Sequence, residues 1–342
     1  MEPDLWSLYA LMLRSRAYEE AIASLWEQGL ISGEMHLGTG EEAIAAGVVD
    51  QLEEDDAMAL DHRGTGPLLM RGVEPVSILR ELLGEPDGLC GGQGGHMHLY
   101  AKDMLSASSG IVGASGPAGA GFALAAQQLR PGSVSVAFFG EGALNQGMFM
   151  EALNLAAVWR LPVLFVCKDD DWAITTDSAG VTAGGVERRV RGFDLRYRRV
   201  DGRDVDQVWN SAHDLIAAVR SGDGPAFLHA RCVHLEAHFL GFQMLRVIRE
   251  PISELPDLAG PLTRSFLSPA GAPIAQRVAG LRKVLGAVFS TLRDPRHDPA
   301  SDPLLRAREQ LEGDPRRLRD IEESVTDEVT AALKAALAGG TV

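Results

Sequence analysis

Two acidic loops carry the residues with the most specific chemistry in this sequence. Glu141 follows the apolar run 134–139, and Asp170 follows a second apolar run, 162–167. The segment between the runs, 146–160, has apolar residues at helical spacing. A strand, a helix and a strand of this length predict parallel strand pairing with a right-handed crossover. Both carboxylates should therefore lie at the carboxyl ends of strands, at one edge of a parallel sheet.

The residue types in these loops indicate a metal ion and a diphosphate. Mg²⁺ prefers near-octahedral oxygen coordination and commonly binds through one or two carboxylates together with phosphate oxygens. Glu141 and Asp170 supply such carboxylates. Gly140 and Gly142 leave backbone N–H groups exposed before a helix, whose amino end favours an anion. We predict that Mg²⁺ and a diphosphate-bearing cofactor bind between the two loops.

Further helices and strands are needed to position these loops, and apolar periodicity predicts them along most of the chain. The segment 226–233 is a predicted strand that delivers His234 and His238 to the same sheet edge. The segment 116–125 is a predicted helix with an unusually small-residue face, which would allow close packing. The other predicted helices cover residues 4–29, 41–52, 75–83, 204–220, 274–292 and 316–337.

Composition limits the classes of partner and compartment. The 342 residues are 46% hydrophobic, enough for a sizeable core. A net charge of -15 opposes binding to nucleic acid and to anionic membranes. Three widely spaced cysteines without a CxxC pair, no apolar run of membrane-spanning length and no basic amino-terminal start favour a cytoplasmic protein. We expect neither a nucleic-acid partner nor a membrane partner.

Longer motifs resemble the α subunit of thiamine diphosphate-dependent 2-oxoacid dehydrogenases, the first (E1) component of the pyruvate, branched-chain and acetoin complexes. The family's Gly-Asp-Gly-Ala-x-Asn-Gln-Gly is matched by residues 140–147, and its Glu-Ala-Leu-Asn-x-Ala-Ala-x-Trp-x-Leu-Pro by residues 151–162. The elements Gly-Gly-x-Met-His and Gly-Ile-Val-Gly-Ala are matched by residues 94–98 and 110–114. The resemblance covers roughly residues 5–241.

The resemblance implies a thiamine diphosphate-binding α/β fold with a parallel sheet, helices on both faces and a C-terminal helical extension. Residues 1–250 would form this domain, and residues 251–342 a Pro-rich segment and helices packed on it or on a partner. Catalysis would use His238 and His62. The metal would be held by Glu141, Asp170 and the backbone carbonyl of Trp172. The implied cofactor-binding residues are His62, Arg63, Gly110, Val112, Glu141, Gly142, Ala143, Asp170 and His238.

The resemblance also implies partners. A β subunit would supply the glutamate that activates the cofactor, giving an α₂β₂ enzyme with an active site shared between chains. The substrate would be a 2-oxoacid, and the acceptor a lipoyl carrier protein or, in a specialised biosynthetic version, another carbon or heteroatom acceptor. Departures from the family pattern concern the choice of substrate and acceptor. Glu141 replaces the family's Asp, Asp170 its Asn, His62 its Tyr and His96 its Ser.

Alternative interpretations of the same residues remain open at this stage. The chain could be a degenerate, non-catalytic scaffold for its β subunit. His96 and His98 could form part of a zinc site if they lie on one face of an extended strand. The glycines of 119–123 superficially resemble a dinucleotide fingerprint, although a close-packed helix explains them better. The arginines of 188–199 are either a solvated face or a loop ordered by the cofactor or by an acidic carrier.

Overall fold

A sheet of seven strands, mostly parallel, forms the centre of the computed structural model, which describes residues 2–174, 176–236, 238–240, 264, 273, 275–279, 282 and 299–338. In chain order the strands are β1 (Ala57–Leu60), β2 (Tyr100–Ala101), β3 (Ser106–Ser108), β4 (Ser135–Gly140), β5 (Val163–Asp169), β6 (Trp172–Ala173), β7 (Thr176–Asp177), β8 (Arg196–Asp201) and β9 (Ala226–Arg231). The spatial order is β2-β3-β1-β4-β5-β9-β8, and only β2 pairs antiparallel within it. Strands β6 and β7 form a separate antiparallel hairpin.

Helices account for most of the remaining described chain. They are α1 (Leu5–Glu27), α2 (Glu42–Val49), α3 (Thr65–Met70), α4 (Pro75–Leu82), α5 (Ser115–Leu129), α6 (Gly147–Trp159), α7 (Ser178–Val181), α8 (Gly185–Arg191), α9 (Val205–Arg220), α10 (Pro303–Gln310) and α11 (Pro315–Leu337). The helices and strands predicted before residue 250 are confirmed within a few residues at each end. Most of the predicted helix 274–292 lies outside the described residues. Within the described part of the chain, no helix combines the length and apolar character needed to cross a bilayer.

Both faces of the sheet are covered, as alternation along the central strands requires. On β4, Val136 and Phe138 belong to the core beneath α1, α2, α4, α9 and α11. Ala137 and Phe139, one position out of phase, belong to the core beneath α5, α6 and α8. The predicted parallel sheet with helices on both faces is therefore confirmed.

The small-residue face of α5 packs directly on the sheet. A Cβ atom added at Gly119 would lie 2.7 Å from the Cβ of Ala137 on β4, closer than side chains approach one another. Gly119 therefore permits close helix-to-strand packing. This contact explains Gly119 without a dinucleotide, whereas a Cβ atom at Gly121 would meet no other atom within 4 Å.

The C-terminal helices pack on the N-terminal helix of the same chain. Arg16, on α1, donates to Glu42 at 2.6 Å and to Asp302 at 3.0 and 3.1 Å. Tyr9 donates to Glu322 of α11 at 3.1 Å. The C-terminal helical extension is thus part of the fold. The predicted domain boundary at residue 250 lies outside the described residues and stays a prediction.

Candidate active site

The carboxyl ends of the parallel strands bring most of the predicted site residues to one edge of the sheet. The loop after β1 carries His62 and Arg63, the loop after β4 begins at Glu141, and Asp170 follows β5 directly. The chain after β9 returns to this edge, where the backbone carbonyl of His238 accepts a hydrogen bond from Arg63. Ligands of open parallel sheets bind at such an edge.

Glu141 occupies a buried position at the end of β4. It begins a 3₁₀ helix, Glu141–Asn145, and the expected α-helix starts only at Gly147. A Cβ atom at Gly142 would lie 2.9 Å from the Cβ of Ala173, so a glycine lets this turn approach the β6–β7 hairpin. Ala143 is buried in the same turn.

The Glu141 carboxylate lies in an environment that favours a bound cation. Its side chain accepts a hydrogen bond from the Ser178 hydroxyl at 2.6 Å. Burial, followed by the negative charge of Asp170, raises the pKa of Glu141 to about 8. A carboxyl whose ionisation is disfavoured by a neighbouring carboxylate belongs to a donor set that a divalent cation neutralises. The site therefore fits Mg²⁺.

Asp170 is the only member of the acidic triplet 169–171 without a cation from β9. Asp169 accepts from His229 at 2.6 Å, and Asp171 accepts from Arg231 at 2.6 Å, both of β9. Asp170 instead lies 2.8 Å from His234, in the loop after β9. Burial raises the pKa of Asp170, but His234, Arg63 and the backbone N–H of Trp172 together lower it below its ordinary value.

Arg63 is a buried guanidinium with donors left for an anion. Its Nε donates to the carbonyl of Leu37 at 2.8 Å, its Nη1 lies 2.7 Å from His62 Nε2, and its Nη2 donates to the carbonyl of His238 at 2.7 Å. A guanidinium has five N–H groups, so two remain. A cation with free donors at 3% exposure fits a diphosphate.

Four imidazoles cluster beside Arg63. The ring centroid of His36 lies 4.7 Å from that of His62 and 5.1 Å from that of His238. The ring of His96 stacks on that of His36, and Nε2 of His96 lies 2.9 Å from Nδ1 of His36. Burial, followed by the charge of Arg63, lowers the pKa to about 3 for His36 and about 4 for His96 and His238, and also lowers that of His62. These rings are therefore neutral near pH 7.

Three of these histidines could also serve as metal ligands. His36, His62 and His238 each offer one ring nitrogen, and these three nitrogens lie within 4.8 Å of one another. Among the described residues, this is the only group of three side chains placed to hold a metal ion. Because Nε2 of His62 accepts from Arg63, its neutral ring carries its proton on Nδ1 and has no free lone pair. His98 lies outside this group, and residues 95–97 form a turn instead of an extended strand, so the premise of a His96–His98 zinc pair is wrong.

The arginines of 188–199 mostly form local pairs. Arg191 pairs with Glu187, and Arg196 pairs with Asp223, each between exposed side chains. Arg189 donates to the Leu144 carbonyl at 2.9 Å, so it ties α8 to the turn that begins at Glu141. The solvated-face interpretation accounts for the pairs of Arg191 and Arg196 but not for the contact of Arg189.

Gly110, Val112 and Trp172 are the remaining predicted site residues. A Cβ atom at Gly110 would lie 2.8 Å from Met97 Sδ, while Val112 is 56% exposed. Trp172 starts the β6–β7 hairpin, and its backbone N–H donates to Asp170 at 3.3 Å. Their roles toward a cofactor stay predictions.

A buried network of charged side chains was missed by sequence reasoning. Lys168, at the end of β5, donates to Glu41 at 2.6 Å and lies 2.9 Å from Asp61. Glu41 also lies 2.6 Å from His234. The available signal was positional for Lys168 and His234, because both lie at or after the carboxyl ends of predicted strands. Asp61 follows β1, which was not among the predicted strands.

Comparisons with known proteins agree with this geometry. The family model described as "Dehydrogenase E1 component" matches residues 10–241. The α subunits of acetoin:2,6-dichlorophenolindophenol oxidoreductase from Cupriavidus necator and Bacillus subtilis are 39% and 38% identical, over 69% and 70% of this chain and 72% of each relative. The pyruvate dehydrogenase E1 α subunit of Zymomonas mobilis is 34% identical over 80% of this chain and 79% of its own.

Among solved structures, transketolase from Campylobacter jejuni shares the fold. The TM-score is 0.50 at 16% identity, over 68% of this chain and 38% of that one. The sheet with helices on both faces is therefore the thiamine diphosphate-binding α/β fold. The family match, the relatives and the fold together show that this chain belongs to the dehydrogenase E1 component family, as an α subunit of the thiamine diphosphate-dependent 2-oxoacid dehydrogenases.

Proposed function

We propose that this chain binds thiamine diphosphate through Mg²⁺ and, with a β subunit, decarboxylates a 2-oxoacid and transfers the resulting acyl or hydroxyalkyl group to an acceptor. The observation that carries this proposal is the convergence of Glu141, Asp170 and Arg63 at one sheet edge. A carboxylate pair suited to a divalent cation, beside a guanidinium with free donors, matches the charges of a magnesium diphosphate.

Each of these residues has a role in the proposal. Glu141 and Asp170 would hold Mg²⁺ by carboxylate oxygens, with the carbonyl of Trp172 completing the protein ligands, while Arg63 would donate to the diphosphate. Thiamine diphosphate, when bound, supplies the electron sink for decarboxylation. Gly110 and Val112 would contact its aminopyrimidine ring through their backbone.

The neutral histidines would move protons beside the reacting centre. His238 has a pKa of about 4, because of burial and Arg63, so its ring can accept a proton or donate a hydrogen bond near pH 7. His62 has its tautomer fixed by Arg63, so Nδ1 carries its proton. We propose His238 as the catalytic group and His62 as its assistant.

A β subunit is proposed as the partner because the relatives are themselves named as α subunits. Exposed apolar side chains on α6 offer one surface for it: Val158 is 68% and Trp159 is 49% exposed. Contiguous exposed apolar patches mark interaction sites, and we propose that Val158 and Trp159 contribute to one. The glutamate that activates the cofactor would come from that partner, in an α₂β₂ assembly.

The acceptor is proposed only as a class. A lipoyl carrier is one candidate, and another carbon or heteroatom acceptor is the second. Two relatives are named for the artificial acceptor 2,6-dichlorophenolindophenol. Because this dye replaces the natural acceptor, it allows the decarboxylating step to be assayed alone.

The test is made on the complex of this chain with its β subunit. Calorimetric titration with thiamine diphosphate and Mg²⁺ should show saturable binding, and dye reduction should follow with one or more compounds from a panel of 2-oxoacids and acetoin. The Glu141→Gln complex should lose Mg²⁺-dependent binding. If the wild-type complex binds no cofactor at millimolar concentration, the enzyme proposal fails, and the chain is a scaffold for its β subunit.

A further inference from the structure

The carboxylate of Glu81, near the end of α4, is enclosed by backbone N–H groups of the glycine-rich loop that follows this helix. Its Oε2 accepts from the N–H groups of Cys90 at 2.6 Å and Gly92 at 2.8 Å. Its Oε1 accepts from the N–H groups of Gly94 at 2.6 Å and Gly95 at 3.3 Å. Backbone N–H groups only donate, so the four contacts need an acceptor at both oxygen positions. At 1% exposure, one side chain therefore sets the path of the loop.

The segment that follows this loop is held by Ser108 of β3. The N–H of Leu99 donates to Ser108 Oγ at 2.8 Å, and the Ser108 hydroxyl donates to the carbonyl of Met97 at 3.0 Å. His96 thus lies directly between two anchored stretches of backbone, the one held by Glu81 and the one held by Ser108. Its ring is delivered to the imidazole cluster by contacts made on either side of it.

His96 fixes the orientation of the His36 ring. Nε2 of His96 lies 2.9 Å from Nδ1 of His36, and the two rings stack with an interplanar angle of 17°. A hydrogen bond between two ring nitrogens needs one hydrogen, so it forms whichever ring supplies that hydrogen. Bonded and stacked in this way, the His36 ring meets the rings of His62 and His238 at interplanar angles of 83° and 89°.

We propose that Glu81 is a positioning residue for the active site: it holds the glycine-rich loop so that His96 bonds to His36, and the oriented His36 ring keeps His238 in its working position. The inference rests on the proposed function, because His238 is there the catalytic group. Glu81 is buried beneath the loop and acts through it. His96 is the link between this buried carboxylate and the imidazole cluster.

A residue that acts through His96 should lose its effect when His96 is absent. Glu81→Gln replaces one acceptor oxygen by an NH₂ group that faces two N–H donors. It should lower kcat on the order of tenfold in the α/β complex, because a small misplacement of a proton-transfer group is costly. His96→Ala should lower kcat by a similar factor. With His96→Ala already present, Glu81→Gln should lower kcat by less than about twofold further, since both substitutions break the same link.

Glu74 provides a matched control on the same helix. Its carboxylate caps the opposite end of α4, where it accepts from the N–H groups of Val76 at 3.0 Å and Ser77 at 2.7 Å. Glu74→Gln therefore weakens α4 without removing an acceptor from the loop. It should leave kcat within about twofold of its parent, with or without His96→Ala. All rates would be measured by dye reduction with saturating substrate, thiamine diphosphate and Mg²⁺.

The inference is overturned if the losses from Glu81→Gln and His96→Ala multiply, as they would for a merely structural carboxylate, or if Glu74→Gln lowers kcat as much as Glu81→Gln. Where Glu81→Gln does not fold, Ser108→Ala loosens the second anchor by removing a single oxygen. Its effect on kcat should likewise disappear in the presence of His96→Ala. Losses that multiply in this pair contradict the inference.

Chemical modification tests the link without turnover. Diethyl pyrocarbonate modifies imidazole nitrogens, and peptide mass spectrometry resolves the rates at His36 and His96 in the complex without cofactor. Glu81→Gln should raise both rates about fivefold, the factor that corresponds to one net hydrogen bond, whereas Glu74→Gln should not. Unchanged rates in Glu81→Gln contradict the inference. A wild-type complex that turns over no 2-oxoacid and no acetoin would refute the proposed function, while the modification rates would still decide whether Glu81 holds the ring pair.

Discussion

Replacing Glu141 by Gln should stabilise the apoprotein at alkaline pH while destroying the metal site. Burial and Asp170 raise the pKa of Glu141 from 4.5 to about 8. A carboxyl with a raised pKa binds its proton more tightly in the folded state. Its contribution to stability is therefore present below the unfolded pKa of 4.5 and is lost as the pH rises through about 8.

The magnitude follows from that interval. At about 1.4 kcal/mol for each pH unit, ionising Glu141 costs the apoprotein on the order of 5 kcal/mol between pH 4.5 and pH 8. The side chain is 2% exposed, so solvent screens this cost little. Glu141→Gln removes the ionisation, and the variant should therefore exceed wild type in unfolding free energy by a few kcal/mol at pH 8.5.

Glu19→Gln is the matched control. Burial likewise raises the pKa of Glu19 to about 8, but Glu19 lies beneath the loop at Gly38 and is no proposed ligand. Both variants should flatten the fall of stability with pH in urea titrations of the apoprotein. Only Glu141→Gln should abolish Mg²⁺ binding in calorimetry. If Glu141→Gln keeps the wild-type pH dependence or the wild-type Mg²⁺ affinity, the reasoning about this carboxyl is refuted.

Three further predictions concern the guanidinium, the histidine and the C-terminal packing. Arg63→Lys should weaken thiamine diphosphate binding at least tenfold in calorimetry, because an ammonium group cannot replace the forked donors of a guanidinium. Arg71→Lys is the control: its guanidinium also donates to backbone carbonyls, and the substitution should leave cofactor affinity unchanged. His238→Gln should lower kcat about 10²-fold or more. In the wild type, the pH–rate profile should show no inflection from His238 between pH 6 and 8, because the pKa of this ring is about 4. Arg16→Met leaves the buried Glu42 without its cation and should cost about 3–5 kcal/mol in urea unfolding, with cofactor affinity tested on the folded fraction.

The central fold could be predicted because its elements follow from local patterns. The apolar runs at 134–139 and 162–167 and the helical spacing of 146–160 indicate β4, β5 and α6 without any tertiary information. Parallel pairing then places Glu141 and Asp170 at the same sheet edge. The 3₁₀ turn at Glu141–Asn145 could not be predicted in this way, because the β6–β7 hairpin that it approaches at Gly142 comes later in the chain.

The charge network and the histidine cluster could not be predicted from local patterns. Lys168 and Glu41 are 127 positions apart in the sequence, and Glu41 and His234 are 193 apart. Each such residue alone is compatible with a solvated loop. His36 belongs to the imidazole cluster because the loop after β1, the turn at His96 and the chain after β9 all meet beside it, and such a tertiary placement leaves no local signal.

Diffraction from the α/β complex crystallised with Mn²⁺ and thiamine diphosphate tests the central claim most directly. Mn²⁺ takes the oxygen ligands that suit Mg²⁺ and can be located by its anomalous scattering. We expect a single strong peak bonded to carboxylate oxygens of Glu141 and Asp170 and to the diphosphate. A peak at His36, His62 and His238 instead, or a cofactor bound with no peak near Glu141, would contradict the account.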